Sequence, residues 1–460
     1  MATPTVLLLA LVATSMPSEP ASSANASAEH PPDLAQRTVE DAMLTPVPPA
    51  SHSVTTWDEA VTLLRQRSTD LRRVEAEVER ARGRWRQALS VLLPNARVQA
   101  SVAMDVLNPD TPVSANTGAS TRTPTSPLGT VTATLTQTVV DVGAWRGLSS
   151  ARATEVGATA SLRDIQRRLT LGLAQALVAT VAAERAAEIN RVGLQQALER
   201  EVLTRRIFEL GTGNALDVVR VSQDVAVARG TLIAGDEQLR RAREALGLTL
   251  GLDHAVGVAP TFNLQGLVEQ TRQDCAPLEQ LDARADLVAA RAQVESASDS
   301  RRQASAGYLP TLGISSTLFG LTTDPGFGRF STWNVAAVLS VPLWEGGGRD
   351  GLVRERAGVE TQAAAVLERA RRDAAVEVAQ ARRAVEVAEA LTQTAVESRD
   401  LASRTDALTR RAFEMGRGGS LELVQSGAAL RQAELSLVLR DFERVQARLA
   451  AFLTEARCDW

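Results

Sequence analysis

The sequence repeats itself, and this constrains its fold more than any single motif does. Asp70-Leu71, Gln87-Ala88 and Leu93-Pro94 recur as Asp286-Leu287, Gln303-Ala304 and Leu309-Pro310 at one constant offset. Further on, Gly147-Leu148 and Arg152-Ala153 match Gly351-Leu352 and Arg356-Ala357 at a smaller offset, so repeat one carries an insertion. The polar stretch Asn108 to Thr130, rich in Thr, Pro and Ser, is its obvious place. The strongest correspondence sets Arg205-Arg206-Ile207-Phe208-Glu209-Leu210-Gly211-Thr212-Gly213-Asn214-Ala215-Leu216-Asp217 against Arg410-Arg411-Ala412-Phe413-Glu414-Met415-Gly416-Arg417-Gly418-Gly419-Ser420-Leu421-Glu422. Two glycines one residue apart, then an apolar residue and an acid, predict that one helix ends through left-handed backbone and another starts. Each repeat is expected to hold a helical hairpin, turning at 211–217 and at 416–422.

Long helices fit what surrounds these turns. No Pro occurs between Pro127 and Pro260 or after Pro342, and neither Gly nor Pro occurs between Gly358 and Gly416. A helix from about Leu148 to Leu210 would run on the order of 90 Å, with Ile165, Leu169, Leu173, Leu177 and Val181 in one apolar row. After the second turn, Leu421, Val424, Ala428, Leu435, Val438, Phe442, Val445, Leu449 and Phe452 keep alternating three-and-four spacing, with Arg431 in a skipped slot. That is a heptad seam, and Leu232, Leu239 and Leu246 form a shorter one in repeat one. Only 3% of residues are aromatic, which suits close-packed helices better than a globular core built on large rings.

Between the helices lie segments of period two: about Ala96–Val102 and Val131–Val139 in repeat one, Thr311–Leu318 and Asn334–Val341 in repeat two. Four strands cannot satisfy their edges within a bilayer, so one chain alone cannot span, and a shared barrel is needed. Tyr308, Phe319, Phe327, Phe330, Trp333 and Trp344 flank the second strand pair, as an interfacial girdle or as packing at a helix-strand junction. Trp85 and Trp145 are outlying in repeat one.

Other function classes find little footing. The formal charge is -4 and every basic side chain is Arg, so nucleic acid is not an expected partner. Without Lys a Walker-type phosphate loop is excluded, and Gly346-Gly347-Gly348 lacks the dinucleotide-binding register. His30, His52 and His254 show no metal-ligand spacing, and no catalytic residue, metal or cofactor is expected. Cys275 and Cys458 are too few for a zinc site or CxxC motif; in an oxidising compartment they can pair, and the sequence leaves that open. Residues 1–28 read as a signal peptide, with an apolar run Val6–Ala13 and small residues Ala21–Ala28 but no positive n-region. No later run reaches ~18 uninterrupted apolar residues.

In combination, these features resemble the TolC-like outer-membrane efflux protein family from about Trp57 to Phe452. The residues that carry the resemblance are Asp70-Leu71 through Leu93-Pro94, Arg284-Ala285-Asp286-Leu287 through Tyr308-Leu309-Pro310, Leu339-Ser340-Val341-Pro342-Leu343-Trp344-Glu345-Gly346-Gly347 and the duplicated glycine turns. The resemblance implies a mainly α chain with a membrane β-barrel portion, in which a homotrimer gives four strands per protomer to a twelve-stranded barrel continued by a helical tunnel. The expected organisation is a disordered segment 29–56, repeat one at 57–250 with its β-hairpin at about 95–140, and an equatorial linker 251–283. Repeat two follows at 284–453, with a β-hairpin at about 309–344, then a tail 454–460.

The resemblance implies an exit duct for a tripartite efflux pump or type I secretion system, set in outer-membrane lipid and opened by a periplasmic adaptor and an inner-membrane pump. Adaptor docking maps onto Gly211, Gly213 and Leu216 and onto Gly416, Gly418 and Leu421. The narrowing acid matches Glu422, with Asp217 at the equivalent turn. Three carboxylates near a threefold axis would make a cation-attracting ring, whereas an acid in a helix's first turn is also favoured by the macrodipole; the two readings stand level for Glu422, and the helical one is preferred for Asp217. Phe413 stands where some members have a tyrosine that locks the closed tip, Gln425 replaces a second acid, and Gly418 a tip arginine. The competing readings are a soluble coiled-coil scaffold and a periplasmic adaptor.

Overall fold

The duplicated sequence folds as two strand pairs carried on two long helical hairpins. The computed structural model describes Val39 and residues 41–110, 123–324 and 327–460, without the side chains of 123–124, 323–324 and 327–331. The leader at 1–28, residues 29–38, the middle of the Asn108 to Thr130 loop and the side chains of Phe327 and Phe330 lie outside the described residues. Ala42–Trp460 forms a unit of its own.

The segment expected to be disordered at 29–56 instead holds β1 (His52–Val54), which pairs with the linker, and repeat one follows with α1 (Trp57–Arg67) and α2 (Thr69–Ser90). Ser68 starts α2 by accepting from the Leu71 amide at 3.2 Å, an N-cap that satisfies one of the first turn's free donors. Then come β2 (Asn95–Ala103), the short β3 (Thr123–Pro124), β4 (Leu128–Val140), α3 (Val142–Glu209) and α4 (Ala215–Thr249). The linker holds β5 (Val256–Val258), α5 (Leu267–Asp274) and β6 (Cys275–Pro277). Repeat two is α6 (Ala285–Ala306), β7 (Thr311–Asp324), β8 (Phe327–Ser340), α7 (Gly348–Glu414) and α8 (Ser420–Thr454), followed by β9 (Ala456–Cys458).

Helix length sets the layout. α3 and α7 have 68 and 67 residues, so each is about 100 Å long. α4 and α8, with 35 residues each, cover only about half of that length. α2 and α6 supply the other half, so α3 packs on α4 and α8 toward the glycine turns and on α2 and α6 toward the strands. A threonine staples each hairpin, at different levels of the two repeats: Thr180 Oγ1 donates to the Ala242 carbonyl at 3.3 Å, and Thr392 Oγ1 to the Arg440 carbonyl at 3.2 Å.

The main apolar core sits where the two halves meet. Trp57 and Leu64 of α1, Leu173 and Leu177 of α3, Leu246 and Leu250 at the end of α4, Val256 of β5, Leu267 of α5 and Leu449 of α8 are all buried there. Two three-residue ribbons, parallel β1–β5 and antiparallel β6–β9, brace this belt. Strands so short carry no readable period, which is why the sequence showed neither.

The four long strands form one antiparallel sheet in the order β2–β4–β7–β8, and β3 extends the pairing along β7. The β4–β7 pairing joins the two repeats. Strands β4, β7 and β8 run longer than the alternating segments that announced them. Among the described residues the outer edges of β2 and β8 have no strand partner.

Candidate channel wall and hairpin tips

The strand register sorts the side chains onto two chemically different faces. Directly opposed residues share a face, and the pairs Val98↔Ala133, Ala100↔Val131, Ala133↔Leu318, Leu318↔Trp333 and Leu312↔Leu339 make one face apolar. The pairs Arg97↔Thr134, Gln99↔Thr132, Ser101↔Thr130, Thr134↔Thr317 and Thr317↔Asn334 make the other polar. Among the described residues nothing covers the apolar face: Val98, Val102, Leu135, Leu318, Trp333 and Leu339 are exposed. The strands have 9 to 14 residues, against the ~9–11 that a tilted strand needs to cross a bilayer. Tyr308 and Trp344 are exposed where this sheet meets the helices, whereas Phe319 lies on the polar face opposite Thr132. Among the described residues no helix is long and apolar enough to cross a membrane.

At the other end, each long helix closes with the same hydrogen-bond pattern. Gly211 N donates to Phe208 O and Thr212 N to Ile207 O; in repeat two, Gly416 N donates to Phe413 O and Arg417 N to Ala412 O. This is the Schellman motif, which requires a left-handed residue, and Gly211 and Gly416 have φ of +79° and +69°. The second glycines differ from expectation, because Gly213 and Gly418 are not left-handed. They are small because a Cβ would come within 2.8 Å of Phe208 N and 3.0 Å of Phe413 N.

The structure places the tip acids in contrasting settings. Glu422 is exposed, and its Oε2 accepts from the Gly419 amide at 3.1 Å, so it braces the start of α8. At the equivalent turn Asn214, not Asp217, caps α4, accepting from the Leu216 amide at 3.0 Å. Asp217 instead accepts from the hydroxyl of Ser420, the buried first residue of α8, and lies 3.5 Å from Arg220. It therefore links the two tips directly. Leu210, Leu216, Met415 and Leu421 are exposed around them.

Just above the tips, each hairpin carries a further staple, built on the matching pairs Glu201 and Arg205, Asp406 and Arg410. Ser222 Oγ donates to Glu201 at 2.7 Å and Arg205 to the same carboxylate at 3.0 Å; Ser426 Oγ donates to Asp406, as does Arg410, both at 3.1 Å. These bonds lie within one hairpin each. A further cluster ties the first hairpin together and joins it to the second, with no repeat-two counterpart among the described residues: buried Asp224 of α4 accepts from Arg200 of α3 at 2.7 Å and from Arg431 of α8 at 3.1 Å. The arginine that interrupted the heptad seam is thus half of a joint, and that interruption was its only signal in the sequence. Toward the belt, Arg284 reaches Asp286 through two parallel bonds of 2.8 and 2.7 Å and Glu377 of α7 at 2.7 Å. Burial pushes the Asp286 carboxyl up, but the Arg284 fork outweighs it and holds the group below the usual carboxylate range. Among the described residues no cluster of His, Cys, Asp and Glu is arranged to hold a metal.

Comparison with known proteins agrees with this architecture. The sequence profile described as outer membrane efflux protein matches residues 60–252 and 277–452, one stretch per repeat. Among curated proteins none matches. Similar solved structures include a membrane protein from Pseudomonas aeruginosa at 18% identity and a TM-score of 0.73, covering 90% of this chain and 93% of that one. The outer membrane protein VceC from Vibrio cholerae follows at 17% and 0.72, covering 86% and 95%. The open state of the MtrE outer membrane channel from Neisseria gonorrhoeae gives 15% and 0.70, covering 86% and 88%. At such identities the likeness is one of fold, whereas the profile matches most of the sequence itself. The chain belongs to the outer membrane efflux protein family and is an outer-membrane channel protein of the TolC-like kind.

Proposed function

We propose that three copies of this chain close a twelve-stranded barrel in outer-membrane lipid and continue it as a helical tunnel, the exit duct of a tripartite efflux pump or type I secretion system. The observation that carries this reading is the two-faced sheet with both edges unpaired among the described residues. An apolar face left bare and two open edges are both satisfied when copies pair edge to edge in lipid, with the polar face lining water. Proteins of this family are trimers that work with adaptors and inner-membrane pumps. In the same reading the adaptor seats on Gly211, Gly213, Leu216, Gly416, Gly418 and Leu421, beside the exposed apolar side chains of the tips. Glu422 and Asp217 gather near the axis in the trimer. The Asp217–Ser420 bond acts as the tip latch of this chain, where Phe413 has no hydroxyl to offer.

The sheet is testable with one residue from each face. Val98→Arg puts a charge in mid-strand on the apolar side, at a cost of about 2–4 kcal/mol near the bilayer centre, and should lower the yield of membrane-inserted trimer. Thr132→Arg, on the polar face of the neighbouring strand, should leave the trimer intact and shift the reconstituted channel toward anions. Equal effects of the two, or recovery of the parent as a soluble, fully helical monomer, would remove the duct reading.

A further inference from the structure

The two cysteines are joined. β6 lies in the linker between the repeats and β9 follows α8, and their antiparallel pairing sets Cys275 opposite Cys458, with a disulfide between them. The Leu278 amide donates to the Glu455 carbonyl at 2.8 Å and extends the ribbon by one bond. The partners are 183 residues apart, so this one bond turns the whole of repeat two, from α6 to α8, into a closed covalent loop.

The bond is also sealed. Cys275 and Cys458 are 1% and 0% exposed, packed with Leu453 and Ala456 beneath Leu171, Phe452 and Trp460. Trp460 is itself held in place: its indole Nε1 donates to Thr170 Oγ1 at 2.9 Å, its carbonyl accepts from Gln166, and the Arg65 guanidinium lies 5.6 Å above its ring. Asp459 next to it pairs with Arg163 at 3.4 Å. Thiol-disulfide exchange needs an attacking thiolate to reach a sulfur in line, which this packing prevents.

From this burial we infer that the chain is a client of a thiol-disulfide oxidoreductase on its way to the outer membrane, and that oxidation must precede the docking of the β6–β9 ribbon against α3 and α8. One cysteine thiolate attacks the oxidoreductase disulfide, forming a mixed disulfide and releasing one enzyme thiolate. The second cysteine, deprotonated, attacks the chain's sulfur in that mixed disulfide; the Cys275–Cys458 bond forms and the second enzyme sulfur leaves. Two electrons and two protons pass from the chain to the enzyme, which ends as a dithiol. With only two cysteines the chain has one intramolecular pairing, so an oxidant suffices and no isomerase is required. Redox sensitivity is confined to the interval before assembly, since the same packing shields the finished bond.

The experiment uses pulse-labelled cells, with dithiothreitol added either during synthesis or after assembly. Free thiols are read by a maleimide-polyethylene glycol gel shift and trimer by electrophoresis in mild detergent. Reductant during synthesis should leave two reactive thiols per chain and lower the trimer at least tenfold. Reductant after assembly should leave no reactive thiol and an unchanged trimer, with both thiols appearing only on denaturation. The Cys275→Ala/Cys458→Ala chain, whatever its yield, should give the same yield with reductant at either time. Three results would each overturn the inference: reduction of the bond in assembled trimer as fast as in nascent chain, assembly of the reduced parent at full yield, or equal reductant sensitivity of the double variant. The timing and thiol measurements on the parent stand even if the double variant does not assemble.

Discussion

Replacing Asp224 with alanine should unlock the joint between the two hairpins, while the Ser222–Glu201 and Thr180–Ala242 bonds still hold α3 to α4. Asp224 is buried and is the shared acceptor for Arg200 and Arg431, which come from α3 and α8. Arg200 is 93% buried by side chain, and its Nε and Nη1, like Nη1 of Arg431, have no other partner among the described residues. The arginines are interlocked with the opposite helices, Arg431 lying over Gly193 of α3 and Arg200 over Gly427 of α8, so the buried Arg200 cannot swing out to water without separating the hairpins. Removing one partner of a buried ion pair costs about 3–5 kcal/mol, because the remaining charge keeps its desolvation penalty. At ~1.36 kcal/mol per decade, amides in the first turns of α8 should lose roughly 10²–10⁴-fold of their hydrogen-exchange protection. Exchange near the Thr180 and Thr392 staples should be unchanged. A chain carrying Arg200→Met, Asp224→Leu and Arg431→Met together should recover most of that protection, since apolar groups of similar volume can replace a buried ion cluster at little cost. A loss below tenfold in Asp224→Ala, or a loss spread evenly over α3 and α7, would refute the reasoning.

Two further outcomes follow from the acids. Glu422→Gln should reduce cation selectivity and divalent-cation block in single-channel recordings if three copies face the axis, and Asp217→Asn should instead raise the fraction of time spent open by weakening the bond to Ser420; unchanged recordings for both would confine these acids to their helices. Asp286, held below the usual carboxylate range, contributes stability in full above its unfolded pKa of about 4, and loses it as pH falls through its folded value. The melting difference between the parent protein and Asp286→Asn should therefore be constant from pH 7 to 5 and shrink below about pH 4; a difference that grows on acidification would contradict the Arg284 fork as its source.

Much of the fold was readable from local chemistry. The duplicated glycine turns, the proline-free stretches and the alternating segments each specify backbone conformation within a few residues, so hairpins and strands could be located by spacing alone. Two of the details depended on contacts the spacing does not contain. Gly213 and Gly418 looked like left-handed residues, and the structure shows that they make room for the helix end folding back on them.

What remained hidden involves partners far apart in sequence. Asp217 reads as one more acid in a helix's first turn, and only the approach of α8 gives it Ser420, 203 residues away. Arg431 reads as a flaw in a heptad, because a seam pattern records which face is buried and not which charge waits across it. The two cysteines read as pairable or free alike, since a disulfide requires particular Cα positions that only the β6–β9 ribbon supplies. Sequence by itself determined the long elements, through periodicity and turn residues acting over one or two helical turns. Tertiary structure alone decided which elements are tied together and by which atoms, because long-range hydrogen bonds, ion pairs and the disulfide depend on distances that no local pattern encodes.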